Sequence, residues 1–199
     1  MKLAVVFPGI GYHTDKPLLY YSRKMARQLG FEVIEVPYGG FSAKKDLREN
    51  ADRMEAAFQH AFDQTEEILK GVSWEAYESL IFISKSIGTA AAARYADVHG
   101  LDAHHIYYTP VEGTFSYMKE KSGIAFTGTK DQWVDYRLVV DKCREKHVPC
   151  YVTENANHSI ETGDILVDLK NLDKIMGETW DYMQNVRWHG DVAPALTSR

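Results

Sequence analysis

The chain has 199 residues, 45% of them hydrophobic and 26% charged, which is enough for one sizeable core and short for two. A net charge of -5 and a pI near 5.9 exclude nucleic acid as a partner, because phosphate binding needs clustered Lys and Arg that this sequence does not carry. No apolar run is long enough to span a bilayer, so no membrane partner is expected.

The first element is the apolar run Lys2 to Phe7, read as a buried parallel strand that opens at Pro8-Gly9-Ile10-Gly11 into a glycine-rich loop. Pro8 and Gly9 break the run too early for a secretory leader, and the protein is expected to be cytoplasmic. The two glycines allow close backbone approach to a ligand, so Ile10 or Gly11 is a candidate donor of an inward-facing amide. A dinucleotide fingerprint is excluded, because its third glycine would fall at Thr14. Leu18, Tyr21, Met25 and Leu29 then recur at helical spacing before Gly30, and Phe31 to Pro37 alternates as a second strand. Ala43 to Lys70 reads as one long or broken amphipathic helix with a solvated charged face.

The central stretch is residues 79 to 93, SLIFISKSIGTAAAA. Leu80 to Ile83 is a strand that stops at Ser84-Lys85-Ser86-Ile87-Gly88 and passes directly into an alanine-rich helix. Ser86 therefore sits on a sharp strand-to-helix turn, with small residues, Ser84 and Gly88, two positions to either side. Such a turn lifts the hydroxyl above the sheet and sets the helix amide of Ile87 beside it, which is a nucleophile with half an oxyanion hole. Short strand-turn-helix junctions with serine also occur without chemistry. Lys85 is expected to face solvent.

Gly100 ends the alanine helix and His104 to Thr109 forms the next strand, where the paired histidines read as structural. In the connection Pro110 to Ser122, Phe115 and Met118 join Gly11 and Tyr12 as candidates for lining a substrate pocket, although such residues serve equally as packing. Gly123 to Thr127 is a strand, and Asp131 just beyond it has the look of either a functional carboxylate or a helix cap. A helix over Val134 to Cys143, a strand over Val148 to Thr153 and a closing helix over Leu172 to Val186 complete the pattern. His158 lies on the polar loop Asn155 to Ile160, away from any apolar face. Cys143 and Cys150 lack metal-site spacing and are expected as free thiols, and no metal or organic cofactor is expected.

Six strands alternating with helices, without repeats or linkers, predict an α/β fold: one doubly wound, mostly parallel six-stranded sheet with helices on both faces. A single domain over residues 1–190 is expected, with 191–199 as a loose tail. In such sheets the loops at the C-terminal strand ends meet at the crevice, and Ile10, Gly11, Ser86, Asp131 and His158 all fall there. A serine hydroxyl becomes a useful nucleophile once a histidine takes its proton and a carboxylate orients that histidine.

The elbow SKSIG, Asp131 in GTKDQWV and His158 in NANHSIE, in the order Ser, Asp, His and each after a strand, resemble the α/β-hydrolase family in its small, capless esterase or dienelactone-hydrolase-like form. The resemblance covers nearly the whole chain and implies strand order 2-1-3-4-5-6, Ser86 as nucleophile, His158 as base, Asp131 as its orienter, and the Ile10 and Ile87 amides as oxyanion hole. Glu112 and Asp135 are the alternative acids. The chain departs from the family pattern at Ser84, which replaces the first elbow glycine, and at Pro8, where many members carry histidine. It also begins directly at the strand leading into the first loop, and the short segment after Pro110 has no room for a cap, so an open site is expected. The implied reaction is hydrolysis of a carboxylic ester or thioester of a small molecule. Acyl transfer by the same residues and a non-catalytic flavodoxin-like binding domain are the rival readings. Trp188 is a candidate homo-oligomer contact.

Overall fold

The computed structural model describes residues 1–41 and 50–186. In chain order the elements are β1 (Lys2–Phe7), α1 (Pro17–Gln28), β2 (Glu32–Glu35), α2 (Ala51–Leu69), a 3-10 turn (Trp74–Ala76), β3 (Ser79–Lys85), α3 (Ile87–Val98), β4 (His104–Tyr108), the single turn α4 (Glu112–Phe115), β5 (Gly123–Gly128), α5 (Tyr136–Glu145), β6 (Cys150–Thr153) and α6 (Ile165–Asn185). The strands form one sheet in the order β2-β1-β3-β4-β5-β6, and every pairing is parallel. This is the expected doubly wound sheet. The chain runs outward from β1 to β2 and then returns across β1 to β3, so the loops after β1 and β3 diverge and leave a crevice between them.

Both sheet faces are covered, which is why the strands read as continuous apolar runs. Period-two alternation divides each strand between two cores. Ala4, Val6, Ile81, Ile83, Ile106, Tyr108, Ile124 and Phe126 pack under α1 and α6, against Leu18, Leu19, Ala26, Ile175 and Met176. Leu3, Val5, Phe7, Leu80 and Phe82 face the other way, against Phe62 and Leu69 of α2 and Ala92, Tyr95 and Ala96 of α3. Tyr107 and Ala125 continue that face toward α5, where Val139 and Cys143 meet Ala90 and Ala93. The alanine run is thus the means by which α3 lies flat on the sheet.

Several helix limits differ from the sequence expectation, and side-chain caps explain the differences. Asp164 accepts from the N–H groups of Leu166 (3.0 Å) and Val167 (3.2 Å), so the closing helix begins at Ile165 rather than Leu172. Asp135 accepts from Arg137 N–H at 2.9 Å and starts α5 at Tyr136. Asn50 accepts from Arg53 N–H at 3.0 Å and starts α2 at Ala51; the part of the expected helix over 42–49 lies outside the described residues, as do Trp188 and the expected tail 191–199. Among the described residues no helix is long and apolar enough to cross a membrane.

Candidate active site

Ser86 joins β3 to α3 with φ 55° and ψ -126°, a conformation rare for any residue with a side chain. Such strain costs of order 1–3 kcal/mol and persists where surroundings over-determine it. Here they do. Ser86 N–H donates to Tyr108 O at 3.0 Å, and Ser86 O accepts from Thr89 N–H at 2.8 Å and from Thr89 Oγ1 at 2.6 Å. Ser84, which stands where the elbow pattern has its first glycine, is fully buried and donates its hydroxyl to Ile106 O at 3.1 Å, so its polar group is satisfied inside the sheet. The loop after β1 crosses directly over this turn. A Cβ at Gly9 would stand 3.0 Å from Ser86 Cβ, and one at Gly88 would stand 2.5 Å from both Phe7 O and Pro8 O.

That first loop closes on itself. Gly9 and Tyr12 exchange two backbone bonds, Gly9 N–H to Tyr12 O at 3.0 Å and Tyr12 N–H to Gly9 O at 3.1 Å, around Ile10 and Gly11. Gly11, at φ 70°, supplies the positive φ the reversal requires. Ile10 is thereby held at the mouth that Ser86 and Ile87 also line. Ile87 is the first residue of α3, so its N–H belongs to the amides that a helix leaves without an internal partner.

His158 places Nε2 2.7 Å from Ser86 Oγ and Nδ1 2.7 Å from Asp131 Oδ2. The other Asp131 oxygen accepts from Trp133 N–H at 2.8 Å. The Asp131 side chain is 1% exposed and that of His158 16%, so their contact lies largely out of water while the imidazole edge remains reachable. The two loops that carry them are tied by two backbone–backbone bonds, Lys130 N–H to Ala156 O (2.9 Å) and Thr129 N–H to Thr153 O (3.1 Å), and by a bond from Asn155 N–H to the Thr129 side-chain Oγ1 (2.7 Å). Gly128 is bare because a Cβ there would stand 2.2 Å from Ala156 O. Ser86, His158 and Asp131 are therefore brought together in that order, with the imidazole between the hydroxyl and the carboxylate. Of the alternative acids, Asp135 caps α5, and Glu112 lies in the exposed first turn of α4.

Lys85 corrects the expectation of a solvent-facing side chain. It follows Ile81 and Ile83 at period two onto the α1/α6 side of the sheet and is 1% exposed. Its ammonium donates to Thr109 Oγ1 at 2.6 Å and to the backbone carbonyl of His158 at 2.8 Å, and lies 4.9 Å from the centroid of the Tyr12 ring. A buried cation thus anchors the peptide that carries the histidine. Tyr12 is correspondingly buried, accepts from Leu18 N–H at 3.2 Å, and has its phenol pushed up by desolvation; it holds the first loop to α1 from below the elbow.

The pocket lining differs from the expected set. Phe115, the last residue of α4, and Met118, just beyond it, face inward and pack with Ala90, Ala93 and Tyr107 in the core. The walls beside Ser86 and His158 are instead Ile10, Met54, Phe58, Ile87, Val111 and Trp133, around a cavity of about 20 Å³. The Trp133 ring lies 5.6 Å from the imidazole of His158. Met54 and Phe58 come from α2, whose sequence shows only ordinary amphipathic spacing. Among the described residues no group of three or more His, Cys, Asp or Glu side chains forms a metal-ligand set, and Cys143 and Cys150 are free thiols.

No protein-family model matches this chain, and no curated protein does. Solved structures do resemble it. An α/β serine hydrolase homologue from Coxiella burnetii superposes with a TM-score of 0.61 at 14% identity, covering 89% of this chain and 84% of that one. An α/β serine hydrolase without lid from Xanthomonas campestris gives 0.59 at 14%, covering 92% and 80%. Est1E from Butyrivibrio proteoclasticus, with ferulic acid bound, gives 0.63 at 10%, covering 92% and 88%. At these identities the likeness is one of backbone, and together with the parallel sheet, its strand order and the strained serine turn after β3 it identifies the fold of this chain as that of the α/β hydrolases.

Proposed function

We propose that this protein is a serine hydrolase that cleaves a carboxylic ester or thioester through an acyl-enzyme. The observation that carries this reading is the pair of 2.7 Å contacts linking Ser86 Oγ to His158 and His158 to Asp131, at a serine whose backbone is held in a strained turn. A flavodoxin-like binding domain has no use for such a relay. The resemblance to a lidless serine hydrolase and to Est1E with ferulic acid adds support.

In this mechanism His158 Nε2 takes the Ser86 hydroxyl proton as Oγ bonds to the carbonyl carbon. Negative charge then develops on the carbonyl oxygen, and the Ile87 amide at the positive end of α3 and the Ile10 amide of the first loop are assigned to receive it; that Ile10 and Ile87 both line the mouth with Ser86 supports this role. The imidazolium, stabilised by Asp131, returns the proton to the departing alcohol or thiol as its bond to carbon breaks. Water next gives a proton to His158, attacks the acyl-enzyme, and releases the carboxylic acid while Ser86 regains its proton.

The test is intact-mass spectrometry after exposure to a fluorophosphonate, with turnover of a short activated ester measured alongside. The wild type is expected to gain one adduct and Ser86→Ala none. Asp131→Asn is expected to keep its fold and lose kcat by about ten-thousandfold, because the imidazole loses its oriented tautomer. Wild-type turnover by Ser86→Ala would overturn the assignment.

A further inference from the structure

The mouth beside Ser86 is narrow, but it is not the end of the space around the nucleophile. Phe58 of α2, which walls the mouth, also walls a second cavity of about 260 Å³ between α2 and α3. The floor of this cavity is Ala90 and Ala91, and its far side carries Arg94. Ile87, Ala90, Ala91 and Arg94 follow one another at helical spacing, so a single face of α3 leads from the catalytic mouth to the guanidinium. Eight residues separate Ser86 from Arg94, a rise of about 12 Å along the helix. The partition is thin: the Phe58 ring rests on the bare backbone of Gly113, where a Cβ would stand 3.3 Å from Phe58 Cε2.

Arg94 is held in place for recognition. Its guanidinium lies 3.9 Å from the centroid of the Phe62 ring and 5.9 Å from that of Tyr117, and Nη1 donates to Gln59 Oε1 at 3.0 Å. Stacking on an aromatic face leaves the in-plane N–H groups of the fork directed outward, the geometry that matches an oxyacid. Among the described residues no carboxylate comes within ion-pair distance of it. Glu55 also borders the cavity, but it is exposed and therefore screened by water.

Building on the hydrolase reading, we infer that the α2/α3 cavity is a subsite for the anionic end of the substrate. The preferred esters or thioesters carry a carboxylate or phosphate at the far end of the acyl chain, toward Arg94, and Phe58 stands between the reacting end and the charged end. The alanine floor leaves the width for an alkyl chain. Arg94 supplies the charge-assisted bidentate contact.

The test uses p-nitrophenyl hemiesters of adipic, suberic and sebacic acid, each beside its methyl-capped neutral counterpart, and an ω-phosphoalkanoyl ester to separate phosphate from carboxylate. The readout is the ratio of kcat/KM for the charged ester to that for the neutral one. Arg94→Gln is expected to lower this ratio by about ten- to a hundredfold for the longer chains, Arg94→Lys to restore part of it, and Glu55→Gln to raise it. Equal ratios in wild type and Arg94→Gln would overturn the inference. Calorimetric titration of suberate and sebacate into the Ser86→Ala protein, with and without Arg94→Gln, separates the two readings. Dicarboxylate binding that weakens at least tenfold with Arg94→Gln sustains the subsite even if no ester is turned over. Binding independent of Arg94 sinks it even if esters are cleaved.

Discussion

The loop after β1 and the start of α3 meet backbone to backbone at Gly88, and this close contact yields a sharp prediction. A methyl group there would stand 2.5 Å from Phe7 O and Pro8 O and 2.8 Å from Phe7 C, none of which can rotate away. To reach ordinary van der Waals separation the start of α3 and the end of β1 must part by about 1 Å. Overpacking of this kind costs about 1–3 kcal/mol, which for a chain of this size lowers Tm by roughly 2–12 °C. The effect on catalysis should be larger, because the residues that move carry Ile10 and Ile87. Losing one oxyanion donor costs about a hundred- to a thousandfold in kcat. Gly177 is the control: it lies inside α6 with nothing within 4 Å of where a Cβ would stand, so Ala there should stabilise by up to about 1 kcal/mol and leave turnover unchanged. The assay is thermal unfolding and short-chain ester kinetics on Gly88→Ala and Gly177→Ala together. Wild-type kcat in Gly88→Ala, or equal losses in both variants, would refute the argument that this crossing sets the oxyanion geometry.

Lys85→Met removes the anchor of the His158 peptide. Because the desolvation cost of a buried ammonium offsets much of its hydrogen bonding, Tm should change by only a few degrees while kcat and the rate of fluorophosphonate labelling fall about tenfold or more; unchanged labelling would rule out a positioning role. His105 is buried in β4, stacked 4.8 Å from Tyr107, with Nδ1 unpartnered; burial above all, then the charges of His104 and Lys119, lowers its pKa to about 3. The unfolded chain therefore takes up a proton near pH 6.5 that the folded chain refuses, and stability is lost as pH falls from 6.5 toward 3, at about 1.4 kcal/mol per pH unit. His105→Phe should remove that slope, retaining about 2 kcal/mol more than wild type between pH 6.5 and 5 in denaturant titrations; parallel profiles would refute it.

The strands were legible in the sequence because both faces of a parallel sheet are buried, so each strand appears as an uninterrupted apolar run such as Leu80 to Ile83. The elbow was legible for a related reason: a turn that sharp admits only small neighbours, and Ser84 and Gly88 are a local signature of it. Asp131 and His158 could be placed at strand ends by counting elements. Their 2.7 Å contact, however, depends on the cross-loop bonds of Lys130, Thr129 and Asn155, which join residues distant in sequence. Lys85 was beyond local reading, since its parity on β3 points it inward but only the folded Tyr12 and His158 loops enclose its charge. Phe115 and Met118 against Met54 and Phe58 show the same limit: aromatic and Met side chains carry no local mark of whether they fill a core or wall a pocket, and the docking of α2 and α4 on α3 alone decides it. Sequence by itself determined the layers and the sharp serine turn, because these follow from periodicity and backbone sterics, while the strand order was implied by the likeness of the Ser, Asp and His motifs to the α/β hydrolases. Tertiary structure decided what surrounds that serine, because the shape and charge of a pocket are set by side chains that meet only when distant segments pack.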